Sequence, residues 1–160
     1  MTKTLVAYFS ASGVTRRVAK HLAQAADADL YEIKPQIPYT DADLNWMDKN
    51  ARSTVEMKDK NSRPEIIQDD PHTENYDLIF IGFPVWWYIA PTIINTFLET
   101  YNFSGKKIIL FATSGGSGFG ATVENLKPSV DETTQIIQGK ILNHEPSIEE
   151  LKSWLDTVLN

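Results

Sequence analysis

An α/β fold built around a parallel sheet is predicted for this chain by three features. Short β-branched and aromatic runs alternate with segments of helical period, as in successive βαβ units. Two runs, LIFIGF and KIILFAT, are almost continuously apolar, as expected of central strands covered on both faces. At 160 residues, with 42% hydrophobic and 22% charged side chains, the chain has the length of one domain and the composition of a globular one. Residues 1–160 are therefore read as a single domain.

In chain order, the first strand is expected over Thr4–Phe9, where the apolar run begins almost at Met1. A helix over Val14–Ala26 and a second strand over Leu30–Ile33 follow. The third strand, Leu78–Phe83, leads to a helix over Thr92–Glu99. The fourth, Ile108–Thr113, leads to a helix over Ala121–Leu126, and a fifth is placed at Thr134–Ile137. The closing helix spans Ile148–Leu159: Ser147 and Glu150 form a capping box, and Ile148, Leu151, Leu155 and Val158 repeat at helical spacing. Between the second and third strands lies an insertion at about residues 35–76. Thr40 with Asp43 is a weaker capping pattern, and Leu44, Met47, Ala51 and Val55 mark one face, so a helix is expected near 41–58, then an acidic loop over 64–76.

Composition excludes several chemistries. Cysteine is absent, which removes disulfides, thiol catalysis and cysteine-ligated metal centres, so redox chemistry needs a bound organic cofactor. Net charge is −6, concentrated in residues 41–77 with ten acids against five bases and in 124–156 with seven against three. No basic stripe marks a nucleic-acid surface. No apolar run has the 18 or so residues of a membrane span, and the first ten residues lack a secretory pattern, so a cytoplasmic protein is expected.

In an open parallel sheet, ligands sit beyond the carboxyl ends of the strands, where strand order reverses. After the first strand come Ser10, Ala11, Ser12, Gly13, Val14 and Thr15. Converging backbone N–H groups at a helix start, a glycine and three hydroxyls suit a terminal phosphate; an ordinary serine-capped turn is the other reading. There is no P-loop lysine and no G-x-G-x-x-G. After the third strand, Pro84, Val85, Trp86, Trp87 and Tyr88 run to Ile89-Ala90-Pro91, three aromatics between two prolines. They form either a wall for a flat apolar ligand or a plug over the next helix. After the fourth strand, Thr113, Ser114, Gly115, Gly116, Ser117, Gly118 and Phe119 are glycine-rich enough for backbone N–H groups to reach a polar ring edge, or form a flexible connection. Together the three loops ask for a phosphate end, a flat body and a hydrogen-bonding edge, which flavin mononucleotide (FMN) combines.

With YFSASGVT, DLIFIGFPVWW and FATSGGSGFG in place, the sequence resembles the flavodoxin-like family over essentially its whole length. The resemblance implies a three-layer doubly wound sandwich with a five-stranded parallel sheet of order 2-1-3-4-5 and FMN at the switch point. It also implies that Ser10, Ser12, Gly13, Val14 and Thr15 bind the phosphate, that Pro84 to Tyr88 line the flavin ring with Trp86 or Trp87 on its face, and that Thr113 to Phe119 close the pyrimidine side. Two features depart from the usual electron carriers. Residues 78–98 and 108–123 hold no acid, which predicts a less negative reduction potential. Arg16 and Arg17 stand in the first helical turn, as surface helix charge or as phosphate contacts.

The function expected is electron transfer through bound FMN to a partner protein or a small quinone-like acceptor, by a monomer or homodimer. The alternative is an NAD(P)H-dependent quinone or nitro-compound reductase, in which Trp46 and Met47 of the insertion roof a substrate slot; a packed subdomain is the plainer role for that segment. A phospho-acceptor domain lacks its acids, since Phe9-Ser10 and Gly82-Phe83 stand at the strand ends. A hydrolase lacks its elbow at Ser117, and His21, His72 and His144 read as surface residues.

Overall fold

The computed structural model describes residues 3–45, 47–114 and 118–159. Five parallel strands, β1 (Thr4–Tyr8), β2 (Asp29–Glu32), β3 (Leu78–Pro84), β4 (Lys107–Thr113) and β5 (Gln135–Ile141), form one sheet of order β2-β1-β3-β4-β5. The chain runs from β1 outward to β2 and then crosses to β3, so strand order reverses between β1 and β3. That reversal leaves a crevice at the carboxyl ends of the two strands.

Both faces of the central strands are apolar because residues at period two serve two separate cores. On one face Leu5, Ala7, Ile79, Ile81, Phe83, Ile108 and Leu110 pack with Ile93, Ile94 and Phe97 of helix α3 (Thr92–Thr100). On the other, Val6, Tyr8, Phe80, Ile109 and Phe111 meet Val18 and Leu22 of α1 (Val14–Ala26) and Leu151, Trp154 and Leu155 of α5 (Ile148–Leu159). The Glu150 N–H donates to Ser147 Oγ at 3.1 Å, the cap expected at the start of α5. A short helix α4 (Thr122–Leu126) precedes β5.

Two expected elements differ from those observed. Strand β5 runs on to Ile141, because a bulge at Leu110/Phe111 shifts its register: Gln138 pairs with Leu110 and Lys140 with Phe111, leaving Gly139 between them. In the insertion, among the described residues, the one α-helix is Arg52–Lys58 (α2) rather than 41–58, with a single 3-10 turn at Thr73–Asn75. Thr40 and Asp43 do form the reciprocal cap, Thr40 N–H to Asp43 Oδ2 at 2.9 Å and Asp43 N–H to Thr40 Oγ1 at 3.2 Å. Propagation then fails because Asn45 and Asp48 side chains take the Met47 and Asn50 N–H groups, closing Asx turns in competition with helix.

The insertion is fastened to the sandwich. Pro35 and Ile66 form an antiparallel bridge, with Gln36 N–H donating to the Glu65 carbonyl at 2.8 Å and Ile67 N–H to the Lys34 carbonyl at 2.8 Å. Arg63 Nε donates to both Glu99 oxygens, at 3.0 and 3.1 Å, and Ser129 Oγ donates to Glu99 at 2.7 Å. Hydrogen bonding from Arg63, helped by Ser129, holds the Glu99 carboxyl below its ordinary 4.5 against the opposing effect of burial. A lowered folded value gives stability that is present above the ordinary 4.5 and is lost as pH falls from there through the lower value of the folded state. The stability gap between wild type and Arg63→Ala, measured by denaturant unfolding, should therefore narrow between pH 7 and pH 3; a constant gap would show that the pair contributes no linkage.

Candidate functional site

The first loop is shaped by Gly13, which holds φ 94° before α1 and donates its N–H to Ser10 Oγ at 3.0 Å. Ser10 Oγ thereby accepts a bond within the turn and keeps its O–H to donate. Among the described residues the N–H groups of Val14, Thr15 and Arg16 have no backbone acceptor, being first-turn donors with no carbonyl one turn earlier in reach. They meet the positive end of the helix dipole, a setting that favours an anion. The Thr15 side chain, expected to offer its hydroxyl to a phosphate, is instead only 2% exposed and bonds to Thr113 Oγ1 at 2.8 Å. That bond ties the first loop to the third, leaving Thr15 its N–H toward the loop's open side.

The two arginines are engaged by carboxylates. Arg16 Nη2 lies 2.6 Å from Glu32 Oε2 at the end of β2, and Arg17 Nε bonds to Glu145. A bound anion at this helix start is thus met by neutral donors rather than by an uncompensated cation.

The second loop is a tight hairpin. Trp86 N–H donates to the Ile89 carbonyl at 3.0 Å and Ile89 N–H to the Trp86 carbonyl at 3.2 Å. The two central residues, Trp87 and Tyr88, have φ 50° and 66°, the left-handed conformation that such a turn ordinarily assigns to Asn and Gly. Each is costly for a side-chain-bearing residue, so two aromatics held there at 45% and 63% exposure mark a turn shaped for contact rather than for stability. Trp86 is half-buried. Its ring stands edge-on to Phe9 at 5.8 Å and to Tyr39 of the insertion at 5.6 Å.

In the third loop Thr113 is buried and Asn143 holds the Ser114 backbone. Phe119, expected at the ligand, is 5% exposed with its ring edge-on to Phe83 at 6.3 Å, so its side chain belongs to the core. Gly118 is exposed. Gly115, Gly116 and Ser117, the centre of the predicted loop, lie outside the described residues, as does Trp46. Met47, the other residue expected to roof a slot, is 75% exposed.

The three loops open onto one cleft of about 370 Å³, lined by Ser12, Val14, Pro84, Val85, Trp86, Thr113, Ser114 and Asn143. Among the described residues none that lines it is ionisable. Asn143 and Tyr39 escaped the sequence reading. A lone Asn after a strand and a Tyr inside an insertion carry no pattern, and only the backbone path brings them to the cleft and to Trp86. Of the histidines, His72 and His144 are exposed, while His21 is half-buried, with its Nδ1 buried and unpartnered among the described residues. No helix among the described residues is long and apolar enough to cross a membrane.

A family model described as flavodoxin matches residues 3–158. The chain is 44% identical to a provisionally named flavoprotein of Bacteroides eggerthii, with TM-score 0.92, over 100% of this chain and 99% of that one. It is 47% identical to a provisionally named flavoprotein of Bacteroides uniformis, with TM-score 0.88, over 97% and 98% of the two chains. A flavoprotein of Lactobacillus acidophilus solved in complex with FMN is 28% identical, with TM-score 0.71, over 96% and 99%. Rat NAD(P)H dehydrogenase (quinone) 1 is 26% identical over 108 residues, 58% of this chain; the match spans only 39% of that longer protein.

Proposed function

Because the chain belongs to the flavodoxin family, whose cofactor is FMN, we propose that it holds FMN in the three-loop cleft and passes electrons through it to a partner protein or a small acceptor. The observation that carries this reading is the composition of the cleft: Ser12 and Val14 at the open helix start, Pro84, Val85 and Trp86 of the hairpin, and Thr113, Ser114 and Asn143 line one crevice whose described lining carries no charge. Bound FMN supplies the electron-carrying chemistry. The chain's own residues bind and orient it. The Ser12 hydroxyl and the N–H groups of Val14 and Thr15 meet the phosphate, Pro84, Val85 and Trp86 exclude water from the ring, and the third loop meets its polar edge. Purified protein should stay yellow after incubation with FMN and desalting; a colourless product with no flavin absorbance sinks the reading.

The neutral lining has an electrostatic consequence. Each carboxylate beside a flavin that gains negative charge on reduction opposes that reduction by several tenths of a kcal/mol on the order of Coulomb estimates at intermediate dielectric. Glu32 and Glu145, which meet the first turn of α1, are each paired with an arginine. A reduction potential less negative than in flavodoxins with acidic flavin sites is therefore expected, and Val85→Asp should lower it. A wild-type potential as negative as theirs counts against this account.

The likeness to the rat quinone dehydrogenase supports a second reading, a reductase that turns over NAD(P)H with a quinone. Steady NADPH oxidation with a quinone and no added reductase favours it; flavin that is reduced only by a partner reductase favours the carrier.

A further inference from the structure

The β5–α5 connection reaches both ends of the cleft. The β4–β5 ladder ends at Ala112 and Ile141, and Leu142 N–H adds one more bond to the Ala112 carbonyl at 2.7 Å. Beyond it Asn143 continues the ladder with its side chain. Oδ1 accepts the Ser114 N–H at 2.9 Å, and Nδ2 donates to the Ser114 carbonyl at 2.8 Å. Both halves of one amide thus grip the backbone of the single residue at which β4 becomes the third loop.

The chain then leaves the sheet through His144 and Glu145, both at positive φ (64° and 47°), before the buried Pro146. Two consecutive residues with side chains adopt this conformation only where their surroundings hold them there. The anchors are visible on both sides. Asn143 is bound to Ser114, and Glu145 is paired with Arg17, whose Nη1 lies 3.8 Å from where a Cβ on Gly13 would stand. The connection braces the ring-edge loop at one end and the helix start beneath the phosphate loop at the other.

We infer that Asn143 is a positioning residue for the flavin, an inference that rests on the three-loop cleft being the FMN site. By taking up both backbone groups of Ser114, itself a lining residue of the cleft, it fixes the point and direction at which the chain leaves β4 along the cleft wall. The Ser114 N–H is consequently spent on Asn143 rather than on the ligand. Because Asn143 acts at the ring end, its loss should be felt equally by FMN and by riboflavin, which has the ring without the phosphate.

The test compares wild type with Asn143→Ala and Asn143→Asp, titrating each with FMN and with riboflavin by flavin fluorescence and measuring the midpoint potential of bound FMN. Loss of the two amide bonds in Asn143→Ala is expected to weaken both flavins by about tenfold, with a shifted potential. Asn143→Asp keeps the acceptor for the Ser114 N–H and adds a charge facing the cleft, so its potential should fall below that of Asn143→Ala. The inference is overturned if Asn143→Ala binds both flavins within about twofold of wild type at an unchanged potential, or if it weakens FMN but not riboflavin, placing its effect at the phosphate. A variant that melts earlier while its potential and affinities hold also overturns it, since its role is then packing alone. Wild-type protein that retains no FMN refutes the cofactor reading instead, and is seen before any variant is made.

Discussion

Gly120→Ala is expected to destabilise the protein by about 2–5 kcal/mol and to release FMN, although residue 120 is exposed and outside every strand and helix. Gly120 sits at φ 54°, where a residue with a Cβ costs roughly 1–2 kcal/mol. A Cβ there also falls 2.3 Å from the Tyr88 carbonyl oxygen and 2.8 Å from Tyr88 Cβ. The nearest obstacle is backbone, so no rotamer change relieves it, and overpacking of this kind costs about 1–3 kcal/mol more. Relief requires the Trp86–Ile89 hairpin to move. That hairpin already carries two residues at positive φ and has little latitude to absorb the shift. A loss of this size lowers the midpoint of thermal unfolding by roughly 5–15 °C in a domain of this length. Thermal melts with and without FMN, beside an FMN titration, check both halves. A variant that melts with wild type and binds FMN as tightly shows that the second and third loops do not constrain one another.

The same contact marks the border of what could be read from the chain alone. The central strands, α1 and α5 were legible because their information is local: LIFIGF and KIILFAT are apolar on both faces, and Ser147 with Glu150 announces its own helix start. The helix expected at 41–58 was misjudged because one-face periodicity and a real Thr40–Asp43 cap were outvoted by Asn45 and Asp48, which close turns with side chains that periodicity does not weigh. Strand β5 was shortened because Gly139, a break in a strand pattern, is a bulge that the sheet accommodates. Three-loop convergence was foreseeable from topology, since parallel strands bring their carboxyl ends together. The inward turn of Thr15 and Phe119 was not. Both are decided by which of two faces a loop residue presents, and that depends on distant partners, Thr113 for one and Phe83 for the other.

Trp86→Ala should weaken FMN binding by about 10–100-fold, and the reason lies in the insertion as much as in the loop. Phe9, Tyr39 and Trp86 form a closed triangle of edge-on contacts, with centroids 5.6, 5.6 and 5.8 Å apart. Each such pair contributes roughly 0.5–1.5 kcal/mol beyond the area it buries, so removing Trp86 forfeits about 1–3 kcal/mol of wall rigidity as well as the wall. Behind it, Arg52 lies 3.8 Å above the Tyr39 ring, bonds Glu56 at 3.0 Å and donates to the Ile37 carbonyl at 2.7 Å. Burial, then the Glu56 carboxylate that accepts its hydrogen bond, push the Tyr39 phenol well up, so it remains a donor at neutral pH. A polar relay on α2 thus seats Tyr39, Tyr39 seats Trp86, and Trp86 faces the cleft. Tyr39→Phe keeps the ring and should leave FMN affinity within about twofold, whereas Tyr39→Ala should reproduce a large part of the Trp86→Ala loss because the contact energy resides in the rings. FMN titrations of the three variants decide between two roles for residues 35–76. If Trp86→Ala weakens FMN and Tyr39→Ala does not, the wall stands without the insertion. If both weaken it in that order, the insertion is the buttress of the flavin site, and its acidic outer surface is free to serve another purpose.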